Sequence, residues 1–101
     1  MSKVGVWVTL NLKPGTRDEA AAVIQEALDA VKGEDGTLVY ILNADPANAD
    51  VLHFYEVYES QDAMNAHMGS PWFAAFSPKL GPFVAGAPGF QMLAPLGGKG
   101  I

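Results

Sequence analysis

Over the stretch VGVWVTLNLK, apolar side chains fall on every second residue. Val4, Val6, Val8, Leu10 and Leu12 share one side, while Trp7, Thr9 and Asn11 take the other. A period of two places successive side chains on opposite faces of a strand, so the pattern predicts a strand over 3–13, ended by Lys13-Pro14-Gly15. The period then changes. Ala20, Val23, Ile24, Ala27, Leu28 and Val31 recur at three-and-four spacing, the stripe of one amphipathic helix over 16–32. Thr16 and Glu19 stand at capping-box spacing at its start, and Gly33-Glu34-Asp35-Gly36 stops it. TLVYILN (37–43) and VLHFYEVYE (51–59) predict two further strands, antiparallel through the polar loop between them.

Ser60 is placed to cap a helix over 60–68, with Asp62 in its first turn. Gly69 ends it. Ser70 then caps a second helix, 70–80, with Pro71 at its first position and Pro78 set to kink or shorten it. FQMLAPL (90–96) predicts a last strand, and GGKGI a frayed end. The order β-α-β-β-α-β is that of an α+β, ferredoxin-like fold: one antiparallel sheet with helices on one face, within a single domain over 1–101. By alternation Trp7, Tyr55 and Val57 lie on the uncovered face. That face is too apolar to leave in water, so a homodimer joined sheet to sheet is expected.

Composition narrows the possible partners. The net charge is -5 with no cluster of Lys or Arg, which leaves no electrostatic footprint for nucleic acid or an anionic membrane. Cysteine is absent, which removes disulfides, thiolate catalysis and Cys-ligated metals. The first residues read as a strand and not as a signal peptide, and no run approaches the about 20 apolar residues of a membrane span. A cytoplasmic location is the expectation. Two histidines on different elements do not make a metal site, and there is no phosphate loop, Rossmann fingerprint or nucleophile elbow, so no cofactor is expected.

The candidate chemistry sits in HFYEVYESQDAMNAH. Leu52, Phe54, Glu56 and Tyr58 share one face of the third strand. On the next helix Ala63 and His67 stand four apart on one face, beside Met64 and Met68. If that helix packs on the sheet, His67, Glu56 and Tyr58 line one space: an apolar pocket with a few convergent polar groups. Glu56 reads either as a structural carboxylate at the sheet rim or as one with a raised pKa that orients His67 or carries a proton. His67 reads as a satisfied core histidine or as a neutral imidazole base. Tyr58 reads as a packing residue or as a hydrogen-bond donor to a substrate oxygen. Phe54, Met64, Trp72, Phe76 and Val8 are the expected walls, and His53, on the opposite face, is expected to be structural or a dimer contact.

LKPGTRDEA after the first strand, GTLVY at the second, FYEVYES at the third, A…H…SPWF across the helix pair and MLAPL at the end together resemble the antibiotic biosynthesis monooxygenase family over about residues 4–96. The resemblance implies a dimeric α+β barrel with a pocket between sheet and helices in each protomer. It also implies oxidation of a small phenolic or quinol-type aromatic substrate by O2 with no metal or organic cofactor. In that reading His67 is the base, Glu56 orients it or shares the proton, and Tyr58 binds a substrate oxygen. Branches differ. The positions that carry Asn, Trp and Tyr in the hydroxyanthrone-oxidising branch hold Phe54, Tyr58 and Met64 here. The haem-degrading positions hold Val8, His67 and Ser77, which argues against haem. A branch that processes a phosphorylated sugar shares the Tyr-Glu-x-Tyr strand and the helix histidine and is an isomerase. A proton-shuttling isomerase or lyase on a small enolisable ligand, and a non-catalytic ligand-binding dimer, therefore stand as alternatives to the oxidoreductase.

Overall fold

A computed structural model describes residues 2–101. The strands are β1 (Val4–Asn11), β2 (Thr37–Ala44), β3 (Val51–Tyr58) and β4 (Gly89–Leu93); the helices are α1 (Arg17–Ala30), α2 (Gln61–Met68) and α3 (Pro71–Phe76). They form one sheet in the order β2-β3-β1-β4, with every neighbouring pair antiparallel. β1 and β2 thus run parallel with β3 between them, the split βαβ arrangement of the ferredoxin-like fold.

The inner face of β1 is the predicted one: Val6, Val8, Leu10 and Leu12 are buried, and they meet Ala20, Ile24 and Ala27 of α1 in one core. The register sets Val8 opposite Phe54 and Val6 opposite Glu56, which fixes the inner face of β3. The capping of α2 and α3 also follows the sequence. The Ser60 hydroxyl accepts from the Ala63 N–H at 3.1 Å and the Ser70 hydroxyl from the Phe73 N–H at 3.3 Å, so two short helices start at fixed points on the sheet's inner side.

Several expectations need correction. Thr16 precedes α1 but makes no capping box with Glu19. Its backbone (φ -104, ψ 2) is not extended, and its hydroxyl donates to the Lys13 carbonyl at 2.8 Å. Regular helix stops at Ala30 and gives way to a 3-10 turn, Val31–Gly33. Pro78 confines α3 to Pro71–Phe76; Ser77–Leu80 continues as a 3-10 turn because proline removes a helical N–H donor. β1 ends at Asn11, where Leu12 and Lys13 turn to pair with Val84 and Phe83. β4 ends at Leu93. On the outer sheet face Trp7 is 39% and Ile41 50% exposed, but Val57 is fully buried. Val57 lies opposite Gly5, and Leu93 and Pro95 press on Gly5 closely enough that a Cβ there would stand 3.2 Å from the Leu93 Cβ. Leu93 and Pro95 therefore close over Gly5 at that corner of the face. His53 is on the outer face as expected, its Nε2 2.8 Å from Asp45 Oδ2 and its ring tilted against Trp7. Among the described residues no helix is long and apolar enough to cross a membrane.

Candidate active site

A cavity of about 140 Å³ lies between the inner face of the sheet and the α2–α3 corner. Val8 and Leu10 of β1, Tyr40 of β2 and Phe54 and Glu56 of β3 form its floor. His67 and Met68 of α2, with Phe73 and Phe76 of α3, form its roof, and Ser77, Leu80, Pro88 and Phe90 close the rim. The walls are apolar and aromatic. Among the described residues, Glu56, His67, Tyr40 and Ser77 are the polar side chains of the lining, and it includes no Lys or Arg.

His67 is 3% exposed and ringed by aromatic groups: Tyr40, Tyr58, Trp72 and Phe73 all have ring centroids 5.1–5.3 Å from the imidazole. Its Nδ1 is 2.8 Å from Glu34 Oε1. The same carboxylate accepts from the Thr37 hydroxyl on Oε1 and from the Trp72 indole on Oε2, both at 2.8 Å. Burial alone would raise the Glu34 pKa. The hydrogen bonds from His67, Thr37 and Trp72 outweigh it and hold the carboxyl below the usual glutamate range. A carboxylate only accepts, so Nδ1 carries the proton of the neutral ring and Nε2 keeps its lone pair. Among the described residues Nε2 has no hydrogen-bond partner, and no fully buried polar side-chain atom is left unpartnered, so this nitrogen keeps some accessible surface.

Glu56 behaves in the opposite way. Burial pushes its carboxyl above the usual range. The Tyr58 hydrogen bond and His67 oppose this, and the Glu34 charge adds to it. The Tyr58 hydroxyl donates to Glu56 Oε1 at 2.5 Å. The Tyr40 hydroxyl is also pushed well above the usual phenol range, by burial and by the nearby Glu56 and Glu34 carboxylates. The cavity therefore presents a neutral phenol, a carboxyl whose pKa burial raises and an imidazole lone pair. That set can donate to a ligand oxygen and accept its proton.

Of the residues singled out from the sequence, His67, Glu56, Phe54, Phe76 and Val8 line this cavity together. Three do not. Tyr58 is 1% exposed and its hydroxyl is committed to Glu56, so it acts on the cavity through that carboxyl. Met64 packs against the core, and its neighbour Met68 takes the lining position. Trp72 lines a separate outer cleft with Glu34, Gly36 and Ser70, on the far side of His67. Glu56 does not orient His67: no hydrogen bond joins them among the described residues, and Glu34 holds the ring instead. Glu34 sits in the Gly-Glu-Asp-Gly stretch, which reads as a helix stop, and meets His67 across 33 residues of sequence, a distance no local pattern spans. Tyr40 was within reach of alternation, but the register of β2 slips between Thr37 and Val39 and obscures its face. Among the described residues no group of three or more His, Cys, Asp or Glu is arranged to hold a metal ion.

The family model for antibiotic biosynthesis monooxygenases matches residues 4–79. A Mycobacterium tuberculosis protein provisionally assigned as a monooxygenase is 27% identical over 95 residues, covering 94% of this chain and 93% of its own length. Its solved structure superposes with a TM-score of 0.86 over 97% of this chain and 99% of that one, at 26% identity. A Caulobacter crescentus structure, provisionally assigned as an antibiotic biosynthesis monooxygenase, is 33% identical with a TM-score of 0.90, over 95% of this chain and 92% of that one.

Proposed function

The chain belongs to the antibiotic biosynthesis monooxygenase family, and from that premise we propose that it is a cofactor-independent oxygenase acting on a small phenolic or quinol-type aromatic molecule. The observation that carries the reading is the imidazole of His67, tied back through Nδ1 and left unpartnered at Nε2 among the described residues, in the wall of an aromatic cavity that also holds Glu56. Phe54, Phe76 and Val8 would hold the ring of the substrate, and Nε2 would take its hydroxyl proton. The resulting anion supplies the electrons. It adds O2 at a ring carbon to give a peroxide; the O–O bond then breaks, one oxygen stays on the ring as a quinone carbonyl and the other leaves as water. Glu56, whose raised pKa eases protonation and which Tyr58 backs, is suited to donate to the departing oxygen when it carries a proton, and the Tyr40 hydroxyl to the substrate oxygen. Oxygen uptake with hydroquinones, catechols and anthrones, in chelator-treated protein, tests this. Uptake above background with a quinone product is expected; no uptake with any of them would end the reading.

A second reading has its own support. One acid and one base in the same cavity, Glu56 and His67, also suit proton transfer between two carbons of an enolisable ligand. It predicts turnover or deuterium exchange under nitrogen. In both readings the protein works as a homodimer through the outer sheet face, where Trp7 and Ile41 stay 39% and 50% exposed in one chain, and it resides in the cytoplasm.

A further inference from the structure

Among the described residues His67 is the only one that lines both the inner cavity and the outer cleft behind it. The cleft side holds Glu34, Thr37, Ser70 and Trp72; the cavity side holds Glu56 and the aromatic walls. The histidine is therefore a partition with a different chemistry on each side. On the cleft side the Glu34 carboxylate has its three hydrogen-bond donors at 2.8 Å, from three separate segments: Thr37 at the start of β2, His67 near the end of α2 and Trp72 in α3. A carboxylate held from three directions cannot rotate without losing two bonds. The ring it faces is wedged among Tyr40, Tyr58, Trp72 and Phe73, so it cannot flip easily either.

We propose that Glu34 is the positioning residue of this site: it locks His67 as the Nδ1–H tautomer, with Trp72 and Thr37 as the clamps on Glu34. The proposal rests on the reading of His67 as the base. Free imidazole in water carries its proton on either nitrogen, and only the Nδ1–H form leaves Nε2 a lone pair to accept a ligand's proton. Glu34 also stands ready to face the positive charge that His67 gains when it takes a proton. It does so from outside the cavity, where the cleft keeps the carboxylate partly hydrated and ionised. Glu34 never touches the substrate. Its effect runs through His67, as the direction of the hydrogen bond requires.

The chain has two histidines, so long-range proton–nitrogen NMR of the ¹⁵N-labelled protein at pH 8.5 resolves each ring, with His53→Gln for assignment. No ligand is needed. The expected wild-type pattern for His67 is a protonated Nδ1 and an unprotonated Nε2. Glu34→Ala should move the ring toward the Nε2–H form. The isosteric Glu34→Gln, chosen because it is the variant more certain to fold, should do so in part, since its NH2 must face one of three donors. A wild-type His67 protonated on Nε2, or a pattern unchanged in both variants, would overturn the proposal. In an assay that shows turnover, Glu34→Gln should lower kcat by at least 10-fold with KM within about twofold, because the substrate pocket is untouched. An intact Nδ1–H pattern without oxygen uptake would sink the oxygenase reading alone and leave the tautomer lock standing.

Discussion

Two glutamates flank one histidine, and their surroundings push them in opposite directions. Among the described residues Glu34 collects three donors at the edge of an open cleft, and Glu56 one, the Tyr58 hydroxyl, in an apolar cavity. The pH dependence of stability should separate them. For Glu34 burial raises the pKa, but the bonds from His67, Thr37 and Trp72 bring it below the ordinary value. Its stabilising contribution is therefore complete above the ordinary glutamate range and is lost as pH falls through the lower folded value. For Glu56 burial leads and the folded pKa is raised. Its contribution is complete below the ordinary range and is lost as pH rises through the higher folded value, because the buried group must then ionise. Melting temperatures from pH 3 to 8 should show Glu34→Gln flattening the acid fall. Glu56→Gln should remove a decline on the side of rising pH and melt higher than wild type near neutrality. Matching curves for both variants would contradict the division.

At the scale of elements, the site depends on how closely α2 lies on the loop before β2. Gly36 makes that approach possible. A Cβ there would stand 2.7 Å from the Ala63 Cβ, whereas one at Gly33, in the same stretch, meets nothing within 4 Å. Gly36 also accepts from the Glu59 N–H at 2.8 Å, which joins the loop to the end of β3. Gly36→Ala should push α2 off the loop that carries Glu34 and cost about 1–3 kcal/mol in chemical denaturation, the usual range for overpacking. It should also reduce turnover, since His67 and Glu34 would part. Gly33→Ala is the control and should change neither by much. Equal stabilities for the two variants would show that the contact between loop and α2 does not set the geometry.

Across the whole molecule, the helices cover one sheet face, and the other leaves apolar side chains such as Trp7 and Ile41 exposed. Ile41 sits on the outer face, 50% exposed and opposite Tyr55. Ile41→Lys should leave the monomer fold within about 0.5 kcal/mol, as exposed substitutions do. Sedimentation should show a dimer for wild type and a monomer for the variant; a monomeric wild type would refute association through this face. The architecture that sets up both faces was legible in the sequence because it rests on short-range signals. Alternation marked β1 and β3, three-and-four spacing marked α1, and Ser60 and Ser70 marked two helix starts. The common face of Glu56 and Phe54 followed from strand parity, and His67 over that face from helical spacing. What was not legible depends on pairing at a distance. Glu34 reaches His67 from a helix stop, Trp72 binds that glutamate from the outer cleft and not the cavity, and Leu93 and Pro95 close over Gly5 beside Val57. No periodicity encodes these contacts, since each is fixed by where two elements cross.

The central claim is that His67 Nε2 is the base of an oxygen-consuming reaction in the inner cavity, and kcat/KM for oxygen uptake in wild type against His67→Ala tests it most directly. With the best hydroquinone or catechol and no added metal or cofactor, wild type should consume oxygen in step with quinone formation. His67→Ala should fall by about 10²–10⁴-fold, the usual worth of a positioned base, while keeping a cooperative unfolding transition. Oxygen uptake by His67→Ala at the wild-type rate would contradict the account.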